Sequence, residues 1–389
     1  MSIGTRLEVS PSLRVCHVIT GLGDGGAEAV LYRLCKHDQV NHHYVVSLSG
    51  SGKYGPMLEA LNVSVTTLNM SPGRPSPLAF IRLLRSLSRQ KPDVVQTWMY
   101  HGDLIGGLAA RVAGIRSVVW GIRHSTLEPG SSKKTTIWIA KFLAKLSWWL
   151  PAKIVVCAQR AMDVHEGLGY DCSKMRFIPN GYDLSDFQPE LDLQSEMKAS
   201  LLPNKCIPLI GTVGRFDPQK DHANLLDALV ILRDRGIAFR CVLVGTGLDS
   251  SNSQILGWIT QRGLVDHVLL LGRRNDIPNI MNALDLHVLP SAFGEAFPNA
   301  VAEAMACGTP CVVTDVGDAA YIVGDTGWVV PPREPTALAT AIAMGLEEMS
   351  DPVDARYRSF RARCRIEDNF DIERMITSYS SVWYQITHS

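Results

Sequence analysis

The chain has 389 residues and a mass of 42.7 kDa, length enough for two domains of ordinary size. Hydrophobic residues make up 46% and charged residues 20%, a composition that excludes fibres and disordered chains. The 38 basic and 38 acidic side chains balance, so no overall field marks nucleic acid as a partner. Nine scattered cysteines without a C-x-x-C pair argue against a disulfide framework or a zinc site and for a reducing cytosol. Met1 to Arg14 lacks the apolar core of a secretory signal. No stretch approaches the ~18 uncharged apolar residues of a membrane span, so the expectation is a cytoplasmic protein.

Short β-branched runs alternate with longer helical patterns. In chain order, strands are expected at Arg14–Ile19, Tyr44–Leu48, Val94–Gln96, Ser117–Trp120 and Lys153–Cys157. A second series follows at Ile207–Val213, Arg240–Val244, Val268–Leu271, Leu286–Leu289 and Pro310–Thr314. These runs are continuous in apolar residues instead of alternating, the mark of parallel strands covered on both faces. Helices are expected between them, at Glu28–Lys36, Leu78–Arg89, Asp103–Ala113, Ala223–Arg235 and Asn299–Cys307, and at the end of the chain, Asp371–Ile386. The fold class is therefore α/β, two doubly wound domains facing a cleft. Turn chemistry from Pro179-Asn180-Gly181 onward marks a polar, strand-free linker at about 182–205. The expected domains are 1–182 and 183–365, with a C-terminal helix in 366–389 packing back on the first.

The first strand runs into Gly21-Leu22-Gly23-Asp24-Gly25-Gly26 and then a helix. Glycines let backbone N–H groups approach a ligand, and a helix start favours an anion. Gly21, Gly23 and Gly26 match G-x-G-x-x-G, but no acidic residue ends the second strand as a nicotinamide cofactor would require, and no Walker sequence follows. A merely tight turn would use the same glycines. The second half opens with Gly214-Arg215 and Lys220-Asp221. Two cations beside a helix start make a diphosphate clamp, or else a solvated basic loop. In Phe293–Pro310, Glu295 precedes a helix in which Glu303 stands among Ala300, Val301, Ala302, Ala304 and Met305. A carboxylate there needs a donor, and ligand hydroxyls supply one, unless the residue is simply exposed.

The Glu-x7-Glu segment, with Gly214-Arg215, Lys220-Asp221, Pro179-Asn180-Gly181 and Gly23–Glu28, resembles the retaining GT-B glycosyltransferases of the family-4 type over about residues 12–385. The resemblance implies that Glu303 holds the ribose of a nucleotide-sugar donor, a UDP-sugar by expectation. Glu295 and the N–H groups of Ala296 and Phe297 would hold the transferred sugar. Arg215 and Lys220 would neutralise the diphosphate, Arg274 would border the base, and Gly23 and Gly25 would close over the phosphates or the acceptor. His124 and His101 become the candidate active-site and acceptor histidines. No Asp-x-Asp occurs, so the expectation is no metal and no cofactor. The alternatives are a GT-B-fold epimerase or phosphorylase, or a nucleotide-sugar binding protein without catalysis.

One helix is unlike the rest. Residues 133–150 carry Lys133, Lys134, Lys141 and Lys145 with Trp138, Trp148 and Trp149 and no acid. That composition suits an interfacial helix on an anionic membrane and hence a glycan or lipid-linked acceptor, or else a surface helix packed on its own sheet.

Overall fold

The computed structural model describes residues 12–71, 76–127, 134–202 and 207–388. The first part of the chain runs β1 (Arg14–Ile19), α1 (Gly26–His37), β2 (His42–Ser47), α2 (Tyr54–Ala60), β3 (Ser64–Thr67), α3 (Pro77–Gln90) and β4 (Val94–Trp98). It continues with α4 (Met99–Val112), β5 (Val118–Ile122), α5 (Lys134–Leu146), β6 (Lys153–Val156), α6 (Gln159–Gly167) and β7 (Met175–Phe177). These strands form a seven-stranded parallel sheet in the order β3-β2-β1-β4-β5-β6-β7. Every residue of β4 and β5 is buried, because helices cover both faces.

The second part runs α7 (Leu191–Leu201), β8 (Leu209–Val213), α8 (His222–Asp234), β9 (Arg240–Val244), α9 (Ser253–Gln261), β10 (Val268–Gly272) and α10 (Ile277–Ala283). Then come β11 (Leu286–Leu289), α11 (Asn299–Ala306), β12 (Cys311–Thr314), α12 (Ala319–Val323), β13 (Trp328–Val330) and α13 (Pro335–Ser350). Its six parallel strands are ordered β10-β9-β8-β11-β12-β13. Both sheets reverse strand order once, between β1 and β4 and between β8 and β11, and ligand crevices open at such points. Together these features make the GT-B architecture, two Rossmann-like sheets facing each other.

Two long helices, α14 (Pro352–Phe370) and α15 (Ile372–Thr387), end the chain. Whereas α14 packs on α11 and α13, α15 returns to the first sheet, burying Met375, Tyr379 and Trp383 against Val15, Ile19 and Trp98. The Trp383 indole N–H donates to Gln96 Oε1 at 3.1 Å. The chain thus passes between the domains twice, and the passages lie side by side: Tyr182 N–H donates to the Phe370 carbonyl at 2.9 Å, and Ile372 N–H donates to the Tyr182 carbonyl at 3.0 Å.

The expected linker differs in one respect, since it carries α7. Met197 and Leu201 of that helix pack on the core, and Lys198 pairs with Asp285 at 2.6 Å. Its short apolar stripe is masked in sequence by flanking prolines. Three strands also went unread, β3, β7 and β13, each only three or four residues long.

Candidate functional site

A cleft of about 280 Å³ lies between the C-terminal ends of the two sheets. On the second-domain side, the loops after β8 and β11 bring Arg215, Gln219 and Lys220 to face Gly294 through Ala300. Lys220 Nζ donates to Glu295 Oε1 at 2.6 Å, and the same oxygen accepts from Ser291 Oγ at 2.7 Å. Both side chains are largely withdrawn from water, at 16% and 8% exposure, so the pair attracts more strongly than on a surface. Gly214 makes this possible: a methyl group there would stand 3.2 Å from Lys220 Cε. Arg215 stays exposed, with Nε on Asp217 at 3.0 Å and Nη2 on Gln219 Oε1 at 3.2 Å. Ala296 and Phe297 line the cleft as the start of α11 approaches.

The first domain supplies the facing wall. The N-terminus of α1 enters at Gly26 and Ala27, without a side-chain cap, so its first N–H groups are available to an anion. A methyl at Gly26 would come within 3.2 Å of Asn299 Nδ2 on α11. Arg123, following β5, is a cation that the motifs did not announce. It stacks on Trp98 at 4.7 Å and donates to Asn180 Oδ1 and the Tyr379 hydroxyl. Asn180 in turn donates to Asn299 Oδ1 at 2.9 Å, which also accepts from the Tyr182 hydroxyl at 2.7 Å. Ser125 and Thr126 grip the Glu295 loop, the former through the Glu295 carbonyl and the latter accepting from Gly294 N–H at 3.1 Å. Asp318 caps α6 from across the cleft, accepting from Gln159 and Arg160 N–H at 2.6 and 3.0 Å.

Other sequence-derived candidates fall outside the cleft lining among the described residues. Glu303 is held across the domain boundary by Arg33 of α1, Nη1 to Oε1 at 3.5 Å. The donor that its apolar helix demanded is thus a protein side chain. Burial raises the Glu303 pKa, against the pull of Arg33 and Lys53. Arg274 pairs with Asp276 at 2.6 Å, whereas its neighbour Arg273 reaches Asp24 of the glycine turn at 3.0 Å. Gly23 lies in open space and Gly25 caps α1, one residue short of the cleft. His124 meets the Tyr100 ring edge-on with centroids 6.4 Å apart. Burial lowers its pKa and that of half-buried His101.

Among the described residues, His17, Cys35 and His43 form the one group with ligand atoms close enough for a metal, within 4.8 Å of one another. The hydrogen bonds argue against that use. Trp98 Nε1 can only donate, and it donates to His17 Nδ1 at 3.2 Å. The His17 proton is therefore on Nε2, which faces His43 Nδ1 at 2.9 Å, and the His43 proton faces Asp38 at 3.1 Å. Neither ring keeps a lone pair for an ion.

The model for Glycosyl transferases group 1 matches residues 207–348, and that for Glycosyltransferase Family 4 matches residues 24–186. An Escherichia coli UDP-Gal:α-D-GlcNAc-diphosphoundecaprenol α-1,3-galactosyltransferase is 32% identical over 249 residues, 61% of this chain and 62% of that protein. A Campylobacter jejuni N,N'-diacetylbacillosaminyl-diphospho-undecaprenol α-1,3-N-acetylgalactosaminyltransferase is 24% identical over 343 residues, 85% of this chain and 89% of that one. In fold, the chain is similar to Anabaena HepE, crystallised with UDP and glucose, with a TM-score of 0.82 at 22% identity over 95% of this chain and 98% of that one. Nothing in these relatives supports the epimerase alternative. With both halves matched and both sheets in place, the chain belongs to the group 1, family-4 type of GT-B glycosyltransferases.

Proposed function

We propose that this glycosyltransferase is retaining and metal-independent, takes a UDP-sugar as donor, and delivers the sugar to a lipid-linked or glycan acceptor in polysaccharide or glycolipid assembly. The observation that carries the reading is the cleft itself, where Lys220 is locked to Glu295 at 2.6 Å and Arg215 and Arg123 share the lining. A departing nucleoside diphosphate gains negative charge as the glycosidic bond breaks. Cations already fixed beside it lower that barrier without reorganisation. Arg215 and Lys220 take the part that a chelated metal plays elsewhere, with Arg123 as a third positive group.

The lining has one carboxylate among the described residues, Glu295, and it is engaged by Lys220 and Ser291. Its remaining lone pairs suit sugar hydroxyls. Glu303 is likewise tied, to Arg33, so the two do not form the acid–base pair of a hydrolase. Attack from the same face as departure, with the leaving phosphate accepting the acceptor's proton, gives retention without a protein nucleophile. His124 and His101 stand in the first domain, to which the reading assigns the acceptor.

The relatives from Escherichia coli and Campylobacter jejuni are both named for undecaprenyl-diphosphate-linked substrates, which supports a lipid-linked acceptor here. So does α5. Its buried face is Ala140, Leu143, Ala144 and Leu146, yet Trp138, with Trp148 and Trp149 in the turn after it, remains exposed, all three at 63–67%, as do Lys134, Lys141 and Lys145. Lys133 lies outside the described residues. Exposed tryptophans with lysines and no acids fit the headgroup region of an anionic leaflet, which supports peripheral attachment to the cytoplasmic face. No helix among the described residues is long and apolar enough to cross a membrane.

The test is transfer from a UDP-sugar panel to an undecaprenyl-diphosphate-linked sugar. Product made in excess EDTA with the donor's anomeric configuration, read by NMR, is expected. Loss of activity on chelation with rescue by Mn²⁺ would overturn the metal-free reading, and an inverted product would overturn retention.

A further inference from the structure

We infer that Arg33 of α1 is a positioning residue for the donor: from the first domain it holds the Glu303 carboxylate of the second ionised and oriented to accept ribose hydroxyls. The inference rests on the donor reading of Glu303 given above and adds to it the residue on which that role depends.

The geometry is that of a fixed support. The Arg33 guanidinium lies over the Tyr182 ring at 4.5 Å, and Tyr182 is itself fully buried, with its hydroxyl on Asn299 at the start of α11. Arg33 is only 9% exposed, so few other rotamers are open to it. Its Nη1 reaches Glu303 Oε1 at 3.5 Å, with the two side chains 11% and 18% exposed. Nε and Nη2 of the same guanidinium are buried with no hydrogen-bond partner, so its spare donors favour an acceptor beside Glu303. Such an acceptor is what a bound nucleotide brings. One carboxylate oxygen engaged by Arg33 leaves the other, and the second lone pair of the first, for the two vicinal hydroxyls of a ribose.

The charge balance around Glu303 makes Arg33 decisive. Burial works against its ionisation, and two cations work for it: Arg33 from α1 and Lys53 from the residue before α2. The Tyr182 hydroxyl and the Cys307 thiol, just past the end of α11, also lie within electrostatic reach of it, and both are neutral near pH 7, burial raising their pKa further. Lys53 is committed to Asp24 at 2.8 Å. Without the Arg33 charge, Glu303 therefore keeps its proton to higher pH. A protonated carboxyl accepts poorly from hydroxyls, and nucleotide affinity then falls as pH falls.

The experiment is calorimetric titration of the full chain with UDP and with 2′-deoxy-UDP at pH 6, 7 and 8, for wild type, Arg33→Gln and Arg33→Lys. Arg33→Gln is expected to bind UDP about tenfold more weakly at pH 6, the scale of one charge-assisted hydrogen bond, and to recover toward pH 8. Its preference for UDP over the 2′-deoxy analogue should shrink at pH 6, and Arg33→Lys should restore both. Equal affinity at every pH, or a uniform loss with the ribose preference intact, would overturn the inference. If Arg33→Gln does not fold, Arg33→Lys decides: affinity as pH-independent as wild type supports the inference, and a new acid-side loss overturns it. Glu303→Gln separates the two readings. If it leaves the ribose preference unchanged, the donor reading of Glu303 falls, whatever Arg33 does, and a wild-type chain that ignores UDP removes both.

Discussion

At the scale of single residues, the cleft and its surroundings divide the cations into those that the motifs announce and those that only the fold reveals. Arg215 and Lys220 stand five positions apart on one loop, so their pairing is readable in the sequence. Arg123 and Arg33 are not, because each works through partners far along the chain: Tyr379 for one, Glu303 for the other. Nothing in a single sequence ties Arg33 to a residue 270 positions away. The loop cations carry the first prediction. Arg215→Ala or Lys220→Ala should lower kcat by ~10²-fold or more, since each removes charge stabilisation that grows with the leaving group. Steady-state kinetics check this, and a change confined to KM would limit both residues to binding. Lys220→Ala also strands the Glu295 carboxylate with Ser291 as its remaining side-chain donor, so its loss should exceed that of exposed Arg215.

At the scale of elements, strands buried on both faces were legible because their apolar runs are continuous. β1, β9 and β11 fall where the pattern puts them, at Arg14–Ile19, Arg240–Val244 and Leu286–Leu289. Edge strands such as β3 and β13 were not, since a partly exposed run of three or four residues has no distinctive period. The candidate site was legible where a motif and a loop coincide, at Glu295, and illegible at Asp318, whose meaning is a helix in the other domain. Asp318→Ala removes that cap from α6 and should cost about 0.5–2 kcal/mol, measured as a lower melting temperature. For α5, replacing Lys134, Lys141 and Lys145 by glutamate should release the protein from anionic vesicles. At about 1 kcal/mol per lysine near the surface the expected fall in partitioning is ~10²-fold, while UDP affinity stays unchanged. Cosedimentation with phosphatidylglycerol vesicles at low salt is the readout, and an unmodified chain left in the supernatant would make α5 an ordinary packed helix.

At the scale of the whole molecule, buried histidines set the acid limit of stability. Burial lowers the pKa of His165 and His222 to about 4 and of His287 to about 3, and that of His17 well below its usual value. The unfolded chain takes up these protons near pH 6.5 and the folded chain does not, so stability is fully present above 6.5 and drains away as pH falls below it. Asp103 opposes this, because burial raises its carboxyl to about 8 and the folded state then holds a proton that the unfolded one releases. His101 and His124 are lowered as well, making six histidines, and between pH 6.5 and 5 they outweigh Asp103, although burial also raises Glu28, Asp221, Glu303 and Asp318. The melting temperature should drop from pH 6.5 to 5, and His287→Met, which removes a ring without hydrogen-bond partners at either nitrogen, should make that drop shallower.

The paired passages of the chain at Tyr182 and Asp371 have a mechanical consequence. Two independent tethers at opposite ends of a cleft would forbid opening, and one alone would permit twisting in any direction. Two that are hydrogen-bonded side by side act as a single hinge with a fixed axis. Arg33 lies over the Tyr182 ring at 4.5 Å, so its contact with Glu303 is made beside that crossing. The Asp24–Arg273 pair, exposed at 46% and 54%, bridges the glycine turn of the first domain and the β10–α10 loop of the second. Exposed as it is, that contact is open to screening by water and salt, whereas the crossing at Tyr182 is made of backbone hydrogen bonds that salt leaves in place.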